Sequence, residues 1–131
     1  MKVVIDTNVF VSGIFWKGTP LKVLEKWRAG DFQLVISSAI LNEYQRVIDE
    51  LTGRYPSSDA AAMMDLVKIN AKMTNPVSLV RPVCTDHDDD KFLEAAVSSG
   101  AQYIVSGDKA LLKVRVFRDV SIVTPAQFIR M

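Results

Sequence analysis

The sequence contains very little cysteine and histidine. Among 131 residues there is one of each, Cys84 and His87. A lone cysteine cannot form a disulfide within the chain, so we expect a reducing compartment, the cytoplasm, and a small apolar role for Cys84. His87 stands beside three aspartates and could touch a metal, but we expect a solvent-facing loop residue.

Long hydrophobic runs and an excess of charge of one sign are also missing. No apolar run approaches the ~18 residues of a membrane span, and the three apolar residues before Asp6 are too few for a signal peptide. Sixteen basic residues oppose fifteen acids, so net charge neither predicts nor excludes nucleic-acid binding. The 49% hydrophobic content is typical of a globular protein, and the length suits one domain over residues 1–131.

Apolar strand patterns alternate with helical ones along the chain. We predict strands at Val3–Ile5, Phe32–Ile36, Val77–Val80, Tyr103–Val105 and Val120–Val123. Helices are predicted from Thr19-Pro20 to Gly30, from Ser37 to about Thr52, over Ala60–Met73, from Asp90 to Gly100, and from Thr124-Pro125 onward. This alternation predicts a three-layer α/β/α fold around a mainly parallel sheet of four to five strands.

Four acids fall at related places in this pattern. Asp6 ends the first strand, and Asp108 follows Ser106-Gly107 at the end of a later one. Asp90 lies in the first turn of a helix, and Glu43 in the first half of the helix after the second strand. Each position is at the carboxyl edge of the sheet, where open α/β sheets hold ligands, or on a helix entered from that edge. Crowded carboxylates repel one another, and Mg²⁺ or Mn²⁺ would relieve that repulsion and support phosphodiester hydrolysis.

Each acid also has an ordinary structural explanation. Asp88–Asp90 could cap a helix and favour its dipole. Asp6 and Asp108 could be turn residues, and Glu43 alone is more often a solvated helix residue. For each acid taken singly, the structural explanation is at least as good as a functional one. The joint placement of four acids at one edge favours a functional site.

Four motifs together resemble the PIN-domain family of metal-dependent ribonucleases, which includes toxin components of prokaryotic toxin–antitoxin pairs. They are V-V-I-D-T-N-V at Val3–Val9, I-L-N-E-Y at Ile40–Tyr44, D-D-D-K-F-L-E-A-A at Asp88–Ala96, and I-V-S-G-D-K-A-L-L at Ile104–Leu112. The resemblance covers essentially the whole chain and implies a PIN-like fold.

The resemblance implies catalytic and metal-binding roles for Asp6, Glu43, Asp90 and Asp108, with Asn8 and Ser106 as supporting polar residues. Asp90 is preferred to its neighbours Asp88 and Asp89 because D-x-x-L-x-A-A fits the helix register. The implied activity is cleavage of single-stranded RNA by one or two Mg²⁺ or Mn²⁺ ions, leaving a 5′-phosphate. A cognate antitoxin is the implied partner, and we also expect a homodimer.

A basic run follows Asp108 and comprises Lys109, Lys113, Arg115 and Arg118. RNA phosphate contacts and a solvated edge explain it about equally well. Trp16-Lys17, in a first loop near Asp6, could stack on a base or pack as a lid.

Two other functions are possible for such a chain. One is a catalytically silent PIN-like interaction module, which would have no reason to keep four mutually repelling acids. The other is a phosphatase or phospho-receiver domain, which requires D-x-D or paired acids after the first strand, where this chain has Asp6-Thr7-Asn8.

Overall fold

A computed structural model describes residues 1–78 and 89–131 of the chain. Its strands are β1 (Lys2–Ile5), β2 (Gln33–Ile36), β3 (Lys72–Met73), β4 (Tyr103–Val105), β5 (Val116–Phe117) and β6 (Val120–Val123). Its helices are α1 (Thr7–Phe15), α2 (Gly18–Arg28), α3 (Ser38–Arg54), α4 (Ser58–Asn70), α5 (Asp90–Ser99), α6 (Lys109–Val114) and α7 (Pro125–Ile129).

The six strands form one sheet in the order β3-β2-β1-β4-β6-β5. All neighbours are parallel except β5 and β6, which form an antiparallel hairpin. Ile5 pairs with Val105, which pairs with Val123, so β1, β4 and β6 end at the same edge. The predicted α/β fold is confirmed, although the sheet has six strands rather than four to five.

The central strand β1 is covered on both faces. Val3, Val4 and Ile5 are fully buried, although successive side chains of a strand point to opposite faces. Strands of parallel sheets carry continuous apolar runs for this reason. The β-branched run therefore places the first residue after β1, Asp6, at the edge of a rigid, buried element.

Several predicted helix signals are confirmed. Ser37 is the N-cap of α3, and its side chain accepts a hydrogen bond from the Ile40 N–H at 3.3 Å. Thr124 and Gln127 form a reciprocal capping box at the start of α7. Gly100 ends α5 in the left-handed conformation, with φ 74°, where a residue without Cβ is favoured.

Three local predictions are wrong or displaced. The segment after Asp6 is helix α1 rather than a loop, because Asp6 itself caps it. Helix α2 begins at Gly18, with Lys17 as its N-cap, rather than after Thr19. The start of the basic run, where no helix was predicted, forms α6.

The predicted strand Val77–Val80 is not found at Val77 and Ser78, and its last two residues lie outside the described residues. The short strand β3 lies earlier, where Lys72 and Met73 pair with β2. Cys84, His87 and Asp88 also lie outside the described residues. In the described part of the chain, no helix is long and apolar enough to cross a membrane.

Candidate active site

Asp6 links the end of β1 to the start of α1. One carboxylate oxygen accepts a hydrogen bond from the Val9 N–H at 2.9 Å, and the other accepts from the Ser106 hydroxyl. Its own N–H donates to the Val105 carbonyl at 3.0 Å. The residue is only 3% exposed, so this carboxylate is held rigidly at the sheet edge.

Asp108 repeats this arrangement one strand away. It is the N-cap of α6, and its carboxylate accepts a hydrogen bond from the Ala110 N–H at 2.8 Å. Its N–H donates to the hydroxyl of Ser106, which is fully buried, at 2.9 Å. Asp6 and Asp108 therefore each cap a helix and also lie at the same edge of the sheet, so the capping role does not exclude a role in a site.

Glu43 approaches this edge from α3. Its Oε2 accepts a hydrogen bond from the Thr7 hydroxyl, and its Oε1 lies 2.6 Å from Lys91 Nζ. The adjacent Tyr44 fixes the helix, because its hydroxyl donates to the Ile5 carbonyl and its ring stacks on Phe10 with centroids 4.1 Å apart. The packing of α3 on β1 thus sets the position of Glu43.

These side chains border one open cavity of about 220 Å³. Its lining residues are Asp6, Thr7, Asn8, Glu43, Arg46, Val47, Asp89, Phe92 and Asp108. The structure therefore brings together three of the four predicted acids and Asn8, with Ser106 buried behind Asp6. The remaining predicted acid, Asp90, is the buried first residue of α5 and does not line the cavity. Its neighbour Asp89 lines the cavity instead.

The predicted basic residues lead away from the cavity. Lys109 begins α6 directly after Asp108, and Lys113 lies one turn further on. Arg115 follows the helix and precedes Val116, the first residue of β5. Val116 pairs with Ser121 of β6. Ser121 in turn pairs with Tyr103, the first residue of β4. The run therefore extends from the acid edge towards the opposite edge of the sheet.

The electrostatic environment of Asp6 reflects its burial. The pKa of Asp6 is raised to about 6, mainly because burial removes its carboxylate from water and to a smaller extent because of the nearby charge of Asp108. Hydrogen bonds from Ser106, Val9 and Gly107 lower this pKa and oppose the effect. Burial also raises the pKa of Tyr44 well above its usual range, and the charges of Asp6 and Glu43 add to the rise.

The donor atoms around the cavity suit a hard cation. They are carboxylate oxygens, which Mg²⁺ and Mn²⁺ prefer. Within residues 1–78 and 89–131, no three Asp, Glu, His or Cys side chains are gathered so that together they could hold an ion. The arrangement fits an ion held by one or two carboxylates that keeps several waters, which is common for Mg²⁺.

Sequence reasoning missed three residues around Glu43: Thr7, Arg46 and Lys91. Arg46 lies one turn after Glu43, 4.0 Å from its carboxylate, and i,i+3 spacing on a helix could have indicated this. Thr7 was named only as part of a motif. Lys91 carried no local signal, because its partner lies on a different helix.

Comparison with known proteins identifies the family. The PIN domain family model matches residues 2–110, and the chain belongs to this family. It is also 31% identical to an uncharacterized protein of Methanocaldococcus jannaschii, over 88% of this chain and 76% of that protein.

Two solved structures share the fold. One is VapBC2 from Rickettsia felis, bound to a DNA fragment from its promoter, with a TM-score of 0.61, 14% identity, and coverage of 93% of this chain and 97% of that chain. The other is PAE2754 from Pyrobaculum aerophilum, with a TM-score of 0.58, 16% identity, and coverage of 99% of this chain and 88% of that chain. At these identities the likeness shows the fold alone.

Proposed function

We propose that residues 1–131 form a single PIN-like nuclease domain that hydrolyses phosphodiester bonds of single-stranded RNA with Mg²⁺ or Mn²⁺. The observation that carries the proposal is the pair of acids at adjacent strand ends. Asp6 and Asp108 line one cavity, and the hydroxyl of Ser106 connects them. The family membership of the chain supports the same reaction class.

Asp6 and Asp108 would carry most of the metal ligation, directly or through water, together with one acid at the start of α5. The helix register of the sequence favours Asp90 for this third role, and the lining of the cavity favours Asp89. Glu43 would complete the site or position the attacking water, and Asn8, exposed at the cavity, would contact water or substrate. A bound divalent cation lowers the pKa of a ligated water and stabilises charge on the phosphoryl oxygens. The chain itself supplies rigid placement, since both strand-end acids are fixed by helix caps.

The biological role that we propose is that of a cytoplasmic toxin, dimeric and controlled by a cognate antitoxin protein. The support is the resemblance of the motifs to toxin components, together with the fold shared with VapBC2. Expression of the chain alone should arrest growth, and co-expression of an adjacent small reading frame should relieve the arrest. Unimpaired growth with a cleavage-competent protein would contradict the toxin role.

The nuclease proposal is tested with purified protein and an unstructured RNA. Cleavage should require Mg²⁺ or Mn²⁺ and stop in chelator. Asp6→Asn should abolish cleavage, because it removes the ligand charge at nearly constant volume. Asp49→Asn is the matched control, since Asp49 is an exposed carboxylate on α3 that does not line the cavity. Full activity of Asp6→Asn, or of wild type in chelator, would refute metal-dependent hydrolysis.

A catalytically silent interaction module is the second candidate. The observation in its favour is the ion pair between Lys91 and Glu43, which shows that one of the acids is already neutralised by the chain. In that case the protein would fold and bind a partner but would leave RNA intact under every metal condition.

A further inference from the structure

Lys91 and Glu43 form a close ion pair between helices α5 and α3. Lys91 Nζ lies 2.6 Å from Glu43 Oε1, and the two side chains are only 21% and 19% exposed. The second oxygen of Glu43 accepts the hydrogen bond from Thr7. Both oxygens of this carboxylate therefore already have a close donor from the protein, one of them charged.

This pair differs from the exposed ion pair nearby. Arg46 and Glu50 lie 3.2 Å apart with side chains 63% and 64% exposed, and such pairs contribute little because water screens them. Partly buried charges lose hydration, so removal of one partner leaves the other uncompensated. The Lys91 ammonium is therefore a fixed positive charge beside the acidic cavity.

Two further acids of the cavity, Asp6 and Asp108, have a different environment. Among the hydrogen bonds within the described residues, Asp6 and Asp108 accept only from backbone N–H groups and the Ser106 hydroxyl. These donors are neutral, so they orient the carboxylates without cancelling their charge. Asp6 and Asp108 therefore offer a divalent cation more uncompensated negative charge than Glu43 does.

We propose that Lys91 is the built-in counterion of Glu43, so that Glu43 is a positioning residue that does not touch the metal. The cavity then takes one divalent cation, held on the side of Asp6 and Asp108. This inference rests on the proposed function and deepens it, since it assigns Glu43 one role and decides the number of ions. A second cation near Glu43 would be repelled by the ammonium group.

The test is a charge-neutral double substitution followed by Mn²⁺ titration, with the electron paramagnetic resonance signal of free Mn²⁺ reporting the bound fraction. Wild type should bind one ion. Glu43→Gln should bind it more weakly, because the ammonium is left unpaired, and Lys91→Met more tightly. The double variant Glu43→Gln/Lys91→Met keeps the net charge and should bind within about threefold of wild type, as expected when neither residue touches the ion.

The reference for a lost ligand is Asp6→Asn, which should weaken Mn²⁺ binding about tenfold or more, since it removes a charged oxygen donor. Lys91→Arg should behave as wild type, because it retains the positive charge. Circular dichroism melting curves, recorded for every variant in Mn²⁺, restrict the comparison to proteins that are folded.

A double variant that loses more than threefold in affinity would overturn the inference, and so would two ions, or none, bound to wild type. RNA cleavage by wild type is measured separately. If the double variant binds Mn²⁺ as predicted but wild type leaves RNA intact, the nuclease proposal fails while the assignment of Lys91 stands. If wild type cleaves RNA and the double variant no longer binds Mn²⁺, the nuclease proposal stands and the assignment of Lys91 fails.

Discussion

The hydroxyl of Ser106 donates a hydrogen bond to the carboxylate of Asp6 and connects the ends of two adjacent strands. The same hydroxyl oxygen accepts from the Asp108 N–H at 2.9 Å. One buried side chain thus fixes the spacing of the two acids on which the proposed chemistry depends. This edge of the sheet can hold two repelling carboxylates because this contact and the helix caps restrain both.

Ser106→Ala should weaken both the fold and the site. The hydrogen bond from Ser106 lowers the pKa of Asp6, so its loss should raise that pKa further. Leaving buried polar groups without their partner typically costs about 1–3 kcal/mol, and we expect a fall of that order in the free energy of unfolding. Urea denaturation and Mg²⁺-dependent RNA cleavage measure the two effects.

Ser106→Thr is the matched control, because it keeps a hydroxyl at this position. It should retain more cleavage activity than Ser106→Ala. Equal activity of Ser106→Ala and wild type would show that the bridge between the two strand ends is dispensable.

Asp89→Asn and Asp90→Asn should differ in activity. The helix register predicts the larger loss at Asp90. In the structure, however, Asp89 lines the cavity and Asp90 is buried beside it. Successive helical residues point about 100° apart, so the two cannot face one site equally. Because Asp89 lines the cavity and Asp90 does not, we expect Asp89→Asn to lose more RNA cleavage activity than Asp90→Asn.

Cleavage rates of the two variants, measured at saturating Mg²⁺, decide this point. A larger loss of cleavage activity in Asp90→Asn would instead support Asp90 as the site residue, as the D-x-x-L-x-A-A motif predicts. Thermal melting of both variants identifies any loss of activity that comes from unfolding.

Replacement of Lys113 and Arg115 together with Ala should weaken RNA binding and flatten its dependence on salt. Both side chains are exposed, and each phosphate contact releases counterions from the RNA. Fluorescence anisotropy with a labelled RNA at several salt concentrations gives the slope.

The control for this pair is Lys22→Ala/Lys68→Ala, which removes two positive charges from exposed sites on α2 and α4. The control should leave the slope near that of wild type. If the two double variants share the same slope, the basic run is a solvated edge.

Metal-free protein should become more stable as the pH falls from neutral to mildly acidic values. Burial raises the pKa of Asp6 to about 6, above the roughly 3.9 of an unfolded chain. A carboxyl group whose pKa is higher in the folded state than in the unfolded state stabilises the fold, and this stabilisation is complete below the pKa of the unfolded state. It is lost as the pH rises through the folded-state value of about 6. The gain between pH 7 and 4 should be on the order of 2–3 kcal/mol at this residue.

Asp6→Asn and Asp108→Asn should accordingly melt above wild type in chelator at neutral pH, since each removes a charge from a crowded site. Added Mg²⁺ should narrow or reverse the difference, because a ligand that binds only the folded state stabilises it. Mutants that melt below wild type in chelator, with no response to Mg²⁺, would mean that the acids do not form one site.

Local sequence signals predicted much of the fold. The run Val3–Ile5 gave the correct end of β1. The caps at Ser37 and Thr124, and Gly100, marked the correct helix ends because each acts through neighbouring backbone atoms. The helix after Asp6 was missed because an acid at a strand end can begin either a turn or a helix. Lys72 and Met73 were predicted as part of a helix but form β3, because their state depends on pairing with β2, which is a non-local contact.

The sequence by itself determined that Asp6 and Asp108 belong to the carboxyl edge of a parallel sheet, because strand direction and chain order fix where each strand ends. It also placed Glu43 on a helix that is entered from this edge. Only the tertiary structure decided which side chains meet there. The preference for Asp89 over Asp90 on the cavity wall depends on how α5 is rotated against the sheet. The pairing of Lys91 with Glu43 depends on the packing of two helices whose contacting residues lie far apart in the sequence.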